Sequence, residues 1–109
     1  MKIACVLITH FPVKAELQRH EDIQGKPVIV VDHSESRRLV VDSTPSARGV
    51  RSGMSLSEAM SRSKTSVVIE ADYSYYERCF QELLLALLDV GDRVEKGPLG
   101  MAYVRLEAG

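Results

Sequence analysis

An apolar stripe at helical spacing between residues 73 and 90 most constrains the fold of this chain. Its members are Tyr76, Phe80, Leu83, Leu87 and Val90, with Leu84 and Leu88 widening the stripe. A helix with so wide an apolar face must bury it against another element, and a sheet offers the broadest surface. Asp72 can cap the start of this helix, and Gly91 can end it in the left-handed conformation. The stripe therefore predicts a long helix over 73–90 that lies on a sheet.

Short apolar runs rich in β-branched residues predict the strands of that sheet. These runs lie at residues 3–8, 28–31, 38–41, 67–69 and 101–106. A continuous run such as Ile3–Ile8 is typical of a strand that is covered on both faces. Shorter helices are predicted over 12–20 and over 56–61, where Ser55 and Glu58 form a capping box. The element order predicts an α/β (α+β) fold, a mixed β-sheet with helices packed mainly on one face.

Composition places the chain among ordinary globular domains. Of 109 residues, 45% are hydrophobic and 27% are charged, which excludes a disordered chain. No apolar run reaches the ~18 residues of a membrane helix, and no signal peptide opens the chain. We therefore expect a cytoplasmic protein without a membrane partner. Cys5 and Cys79 lie in apolar surroundings and are expected to be buried free thiols, with a single disulfide as the alternative.

The charge distribution singles out the middle of the chain. The net charge is −1, yet residues 34–66 carry six basic side chains against three acidic ones. Such a basic segment can contact the phosphates of a nucleic acid. The alternative is a solvated face with no partner. The residues alone show no catalytic or metal-binding constellation, because Asp32, His33 and Ser34 are neighbours on an extended chain and their side chains point apart.

Three local patterns follow one another along the chain. They are GKPVIV at 25–30, GVRSGMSLSEA at 49–59, and DYSYY from Asp72 followed by Val94-Glu95. Their order and spacing resemble the N-terminal region of the Y-family (UmuC/DinB-like) translesion DNA polymerases, across essentially all 109 residues. The resemblance implies a single N-terminal domain, palm-like over 1–20 and 67–109 and fingers-like over 21–66.

The chain departs from the family at the positions that bind the catalytic metals. The opening motif D-x-D-x-F-F-x-S-V-E places Leu7 and Thr9 where the family has its two aspartates. The later motif S-x-D-E-A-y-L-D places Gly100 and Met101 at the Asp-Glu pair. The family would use Mg²⁺, which takes oxygen ligands that Leu7, Gly100 and Met101 do not offer. We therefore expect no bound metal, no other cofactor and no catalytic residue.

The nucleotide-binding motif S-Y-E-A-R is also lost, because its tyrosine and arginine fall on Ser43 and Ser46. In these losses the chain is similar to the ImuB-type branch, which keeps the fold without the acidic residues. That similarity implies a protein that is not an enzyme and acts as an adaptor in DNA repair. Its partners would be other repair or replication proteins, together with DNA that is bound weakly through Arg48 and Arg51. An exposed edge of the shortened sheet predicts a homo-oligomer of the isolated chain.

Two other interpretations remain open at this stage. The chain could be a fragment of an active error-prone polymerase whose carboxylates lie elsewhere, with Asp22 and Asp32 as the nearest candidates. It could also be an unrelated small α/β regulatory binding domain.

Overall fold

A computed structural model describes residues 2–34 and 36–106, without the side chain of Ser34. Met1, Glu35 and residues 107–109, which belong to the predicted palm-like and fingers-like regions, lie outside the described residues. The elements in chain order are β1 (Lys2–Leu7), α1 (Phe11–Arg19), a short 3-10 helix (Glu21–Ile23), β2 (Val28–Ser34), β3 (Arg37–Ser43), α2 (Leu56–Arg62), β4 (Val67–Glu70), α3 (Tyr73–Leu87), β5 (Arg93–Lys96) and β6 (Met101–Leu106). Among these residues, no helix has the length and apolar character needed to cross a membrane.

The chain divides into two compact units. The first unit consists of Met1–Phe11 and Tyr73–Gly109, and the second unit consists of Pro12–Asp72. Both predicted boundaries, after residue 20 and after residue 66, fall inside the second unit. The two units do not test the palm-like and fingers-like assignments, which stay a prediction.

The first unit is an antiparallel sheet in the order β1-β6-β5 with α3 on one face. Buried side chains of α3, including Phe80, lie with Ala102 and Val104 of β6 in the interior of the unit. Lys96, which is opposite Ala102, places its Nζ 5.7 Å from the centre of the Phe80 ring. The same Nζ lies 3.1 Å from Glu77 Oε2, so α3 covers the face of Lys96 and Ala102.

The opposite face of this sheet is exposed. Ile3 is 67% exposed, Leu7 57% and Tyr103 41%, and Cys5 between them is exposed as well. The prediction that the apolar run of β1 is covered on both faces is therefore wrong, because α3 covers one face alone. The prediction of a buried thiol is wrong for Cys5 for the same reason. Cys5 and Cys79 are both free.

The second unit contains a mixed sheet in the order β3-β2-β4. Strand β2 runs antiparallel to β3 and parallel to β4, and all four residues of Val28–Val31 are 0% exposed. This apolar run is covered on both faces, as its sequence predicts. The predicted α/β class with a mixed sheet is confirmed, and the strands form two three-stranded sheets.

Gly91 has a different role from the predicted one. Helix α3 ends at Leu87, and Gly91 is not among the glycines with a positive φ. A Cβ atom on Gly91 would overlap Val104 Cγ1 and lie 2.7 Å from the Arg105 carbonyl oxygen. The chain therefore needs glycine here because the segment after α3 passes directly against β6.

Candidate functional site

The positions that the resemblance aligns with the metal ligands of the family lie together in the first unit. Leu7 and Met101 are register partners on β1 and β6, and the Ile8 N–H donates to the Gly100 carbonyl oxygen at 2.8 Å. In the sheet order, β1 is an outer strand, so this group lies at one end of a strand pair and not at the centre of the sheet. The exposed Thr9 follows in the turn after β1.

The side chains of this group are poor ligands for magnesium. Leu7 is aliphatic, Gly100 has no side chain, and Met101 offers a soft sulfur, whereas Mg²⁺ takes hard oxygen ligands. Among residues 2–34 and 36–106, no group of three or more His, Cys, Asp or Glu residues could hold a metal ion. The absence of a metal from these positions stays a prediction.

Ser43 and Ser46, at the positions of the nucleotide-binding motif, lie where β3 ends. Ser43 is buried, and the Ser46 Oγ lies 3.0 Å from Thr44 Oγ1. The Thr44 hydroxyl oxygen in turn accepts the Val28 N–H at 2.9 Å. Thr44 therefore ties this segment to the start of β2, and the short side chains of Ser43 and Ser46 cannot reach as far as a tyrosine or an arginine would.

A buried carboxylate that the sequence analysis did not identify lies beside these serines. Asp42 is 6% exposed and accepts the Val13 N–H at 2.9 Å and the Ser43 N–H at 3.0 Å. Val13 is in the first turn of α1, where backbone N–H groups lack helical partners and favour a negative charge. Asp42 therefore caps α1 from 29 residues away along the sequence.

Arg48 and Arg51 are exposed on a loop that backbone hydrogen bonds attach to β3. We call residues 48–53 the basic loop. The Gly53 N–H donates to the Val40 carbonyl oxygen at 2.8 Å, and the Val40 N–H donates to the Met54 carbonyl oxygen at 2.8 Å. The Ser52 hydroxyl adds a bond of 3.0 Å to the Val41 carbonyl oxygen. These three bonds attach the C-terminal edge of the loop to β3.

A third arginine lies against the basic loop. Gly49 has a φ of 79°, and a Cβ atom there would lie 3.5 Å from Arg62 Cδ. Arg62 pairs with Glu58 across one turn of α2 at 3.2 Å. Within the part of the chain that the structure describes, Arg48 and Arg51 form no ion pair. Their charge is therefore available to an anionic partner.

A charge cluster around the buried Glu16 was also missed by the sequence analysis. Glu16 is 0% exposed and accepts from Arg19 Nε at 2.8 Å and from Arg19 Nη2 at 3.0 Å. His20 Nε2 lies 3.4 Å from the same carboxylate, and Arg19 Nη2 also donates to Asp72 Oδ2 at 3.1 Å. The hydrogen bonds to Glu16, with Asp72 adding to them, raise the pKa of Arg19 above its ordinary value. The cluster is structural, since its acceptors are occupied within the unit.

The two sheets and the segments at 25–30, 49–59 and 72–95 define a Y-family polymerase-type α/β domain. The chain matches the impB/mucB/samB family over residues 6–108 and therefore belongs to that family. The predicted resemblance is confirmed.

Curated relatives support this assignment. DNA polymerase IV 2 from Mycobacterium tuberculosis and from Mycobacterium bovis is 32% identical over 107 residues, which is 94% of this chain and 31% of the relative. DNA polymerase IV from Staphylococcus aureus is 26% identical over 105 residues. The chain spans about a third of the length of these relatives.

Solved structures show the same fold. DinB from Sulfolobus solfataricus matches 97% of this chain with a TM-score of 0.89 and 23% identity, over 32% of its own length. The post-insertion binary complex of Dbh DNA polymerase matches 96% of this chain with a TM-score of 0.92 and 23% identity, over 31% of its own length.

The prediction that the protein is not an enzyme is wrong. It depended on departures from the family motifs at six positions, which are Leu7, Thr9, Gly100, Met101, Ser43 and Ser46. The relatives that share this domain are DNA polymerases. The 109 residues correspond to about a third of such a polymerase. Departures from the family motifs within these 109 residues therefore do not determine the class of the whole protein.

Proposed function

We propose that this chain serves DNA repair by translesion synthesis, as a module that contacts the DNA backbone and other repair or replication proteins. The observation that carries the proposal is the basic loop. Its exposed Arg48 and Arg51 lie in a segment that resembles the Y-family, on a backbone fixed to β3.

Physical chemistry sets the strength of this contact. Arginines that meet phosphates release condensed counterions, and the resulting binding falls steeply with salt and ignores base sequence. Two or three arginines give binding on the order of 10⁻⁴ to 10⁻⁶ M at physiological salt. The basic loop is therefore suited to weak contact with DNA that is held elsewhere by a larger assembly.

The double substitution Arg48→Ala with Arg51→Ala tests the proposal. For a primer–template duplex, we expect the slope of log K against log salt to fall by about 1.8, because each lost phosphate contact removes about 0.9. Fluorescence anisotropy with labelled DNA between about 50 and 200 mM salt measures this slope. The matched control is Arg37→Ala with Arg38→Ala, which removes the same charge at the start of β3. An unchanged slope, or an equal fall in the control, would contradict the proposal.

Self-association of the isolated chain stays a prediction of its own. Leu85, Leu88 and Val90 are 56%, 51% and 69% exposed around the end of α3, and such patches tend to find a partner. We expect the apparent mass in light scattering to rise with protein concentration, and Leu85→Lys with Leu88→Lys to reduce that rise. A monomeric profile at high concentration would count against it.

A further inference from the structure

A groove on the second unit lies between the start of β3 and helix α2. We call it the α2 groove, and it is lined by Arg37, Arg38, Ser55, Leu56, Ser57 and Met60. Its volume is about 430 Å³. Specific binding pockets in proteins fall between about 300 and 1,000 Å³. The groove is therefore large enough to hold side chains of a partner, and it lies outside the basic loop.

The floor of the α2 groove is apolar. Leu56 and Met60 are four residues apart on α2, so they lie on the same face of the helix. Both are half-buried, and both pack against the core cluster of Ile29, Val31, Val40, Ala47 and Ala59. The floor is thus the outer layer of the core, and part of it meets water. Covering that part with an apolar side chain of a partner is favourable.

The two sides of the α2 groove are held together by the backbone. Leu39 of β3 forms an antiparallel bridge with Ser55, the residue that caps α2. Next to this bridge, the Val40 N–H donates to the Met54 carbonyl oxygen at 2.8 Å. A partner therefore does not have to order the two sides when it binds, and such ordering would otherwise lower the affinity.

The β3 side of the α2 groove is positively charged. Arg37 and Arg38 are both exposed, and among residues 2–34 and 36–106 Arg37 forms no ion pair. Arg38 Nη2 lies 3.1 Å from Glu70 Oε1, with the two side chains 53% and 55% exposed. A pair so exposed contributes little, so Arg38 can exchange Glu70 for a carboxylate of a partner. The planar guanidinium group matches a carboxylate with two parallel hydrogen bonds.

A nucleic acid fits this combination of surfaces poorly. Its phosphates can meet the arginines, but the floor offers no aromatic ring on which a base would stack. Leu56 and Met60 would then remain in contact with water. A peptide, by contrast, supplies a carboxylate and an apolar side chain within a few residues, so it complements both the charged side and the floor.

We propose that the α2 groove binds an acidic peptide segment of another protein, with carboxylates at Arg37 and Arg38 and an apolar side chain on Leu56 and Met60. The proposal rests on the proposed function only in taking a repair or replication protein as the partner. It needs no contact between DNA and the basic loop. The two proposals are therefore tested by different ligands and fail separately.

The test is a titration of the ¹⁵N-labelled 109-residue chain with the peptide Gly-Ser-Asp-Glu-Leu-Leu-Ser-Gly, followed by amide chemical shifts. We expect the largest shift changes at residues 37–39 and 55–60. Arg37→Ala with Arg38→Ala is expected to raise the Kd about tenfold, because two charge-assisted contacts are lost. Arg48→Ala with Arg51→Ala removes the same charge from the basic loop and is expected to change the Kd by less than about twofold, since solvent and salt screen its distant charges.

Ser57 allows a test that removes no packed side chain, because it is exposed at the edge of the groove. We expect Ser57→Glu to weaken peptide binding about threefold and Ser57→Lys to strengthen it about threefold, as a charge at the rim of an interface repels or attracts the acidic peptide. Ser61→Glu adds the same negative charge to α2 outside the groove and is expected to have little effect.

Two altered peptides test the two halves of the proposed contact. Replacing Asp-Glu by Asn-Gln removes the carboxylates, and replacing Leu-Leu by Ser-Ser removes the apolar side chains. We expect each change to weaken binding about tenfold. Absence of binding at millimolar peptide, equal binding of an altered peptide, or shift changes outside the groove would overturn the proposal. Displacement of the peptide by an oligothymidine would also overturn it, because a nucleic acid would then be the occupant.

Discussion

Arg19→Met is expected to lower the free energy of unfolding by about 3 kcal/mol, because it leaves the Glu16 carboxylate buried without its main partner. Glu16 is 0% exposed and takes two hydrogen bonds from Arg19. Removing one partner of a buried ion pair lowers the free energy of unfolding by about 3–5 kcal/mol. The lower end applies, since a third of the Arg19 side chain is exposed and His20 remains 3.4 Å away. Urea denaturation followed by circular dichroism measures the change.

Two control variants make this measurement specific. Arg62→Met breaks the exposed pair with Glu58 and is expected to cost less than about 1 kcal/mol. The double variant Glu16→Leu with Arg19→Met removes both charges and is expected to recover most of the loss, as apolar replacements of buried pairs do. If Arg19→Met costs no more than Arg62→Met, the cluster does not stabilise the second unit.

Gly100→Asp, which restores the acidic residue of the family motif, is expected to destabilise the first unit by about 3 kcal/mol. Gly100 has a φ of +88°, where a side chain is strained. Its Cβ would also lie 2.8 Å from the Ile8 carbonyl oxygen, which is closer than packed atoms allow, and 3.1 Å from Phe11 Cβ, which is a tight contact. The backbone of this chain therefore cannot take the aspartate without moving, and unfolding in urea measures the cost.

Gly53→Asp separates the two causes of that cost. Gly53 has a φ of +90°, but a Cβ there would meet nothing within 4 Å. We expect this variant to lose only the conformational part, about 1 kcal/mol. An equal loss in the two variants would show that the contacts with Ile8 and Phe11 do not oppose a side chain at residue 100.

Local pattern was sufficient to predict the elements with a well-buried face. The stripe over 73–90 predicts α3, and its members Tyr76, Phe80 and Leu84 are buried. The predicted end is wrong, because the helix ends at Leu87 and Leu88 and Val90 are exposed. The run Val28–Val31 predicts a strand covered on both faces, and its exposure is 0% throughout. The serine at position 55 caps α2 as predicted, accepting the Glu58 N–H at 3.2 Å. The apolar pattern predicts these elements because it shows which side chains of each segment must be buried.

The same kind of apolar run in β1 led to a wrong prediction. Hydrophobic sequence shows that a face favours burial, but not whether a second element is there to cover it. One face of the β1-β6-β5 sheet is exposed because α3 covers only the opposite face, and no residue of β1 indicates this. Arg48 and Arg51, by contrast, could be chosen from the local charge of the sequence.

The sequence by itself determined the positions of the main helices and strands, the α/β class and the family, because propensity, periodicity and motif order are local properties of the chain. Only the tertiary structure decided that the strands form two sheets and that Asp42 caps α1. It also decided that Arg19 links Glu16 to Asp72, 53 residues beyond Arg19. No local pattern in the sequence predicts such contacts, because the side chains that they join lie far apart along the chain. They form because a buried polar group must find a partner wherever the folded chain brings one within reach.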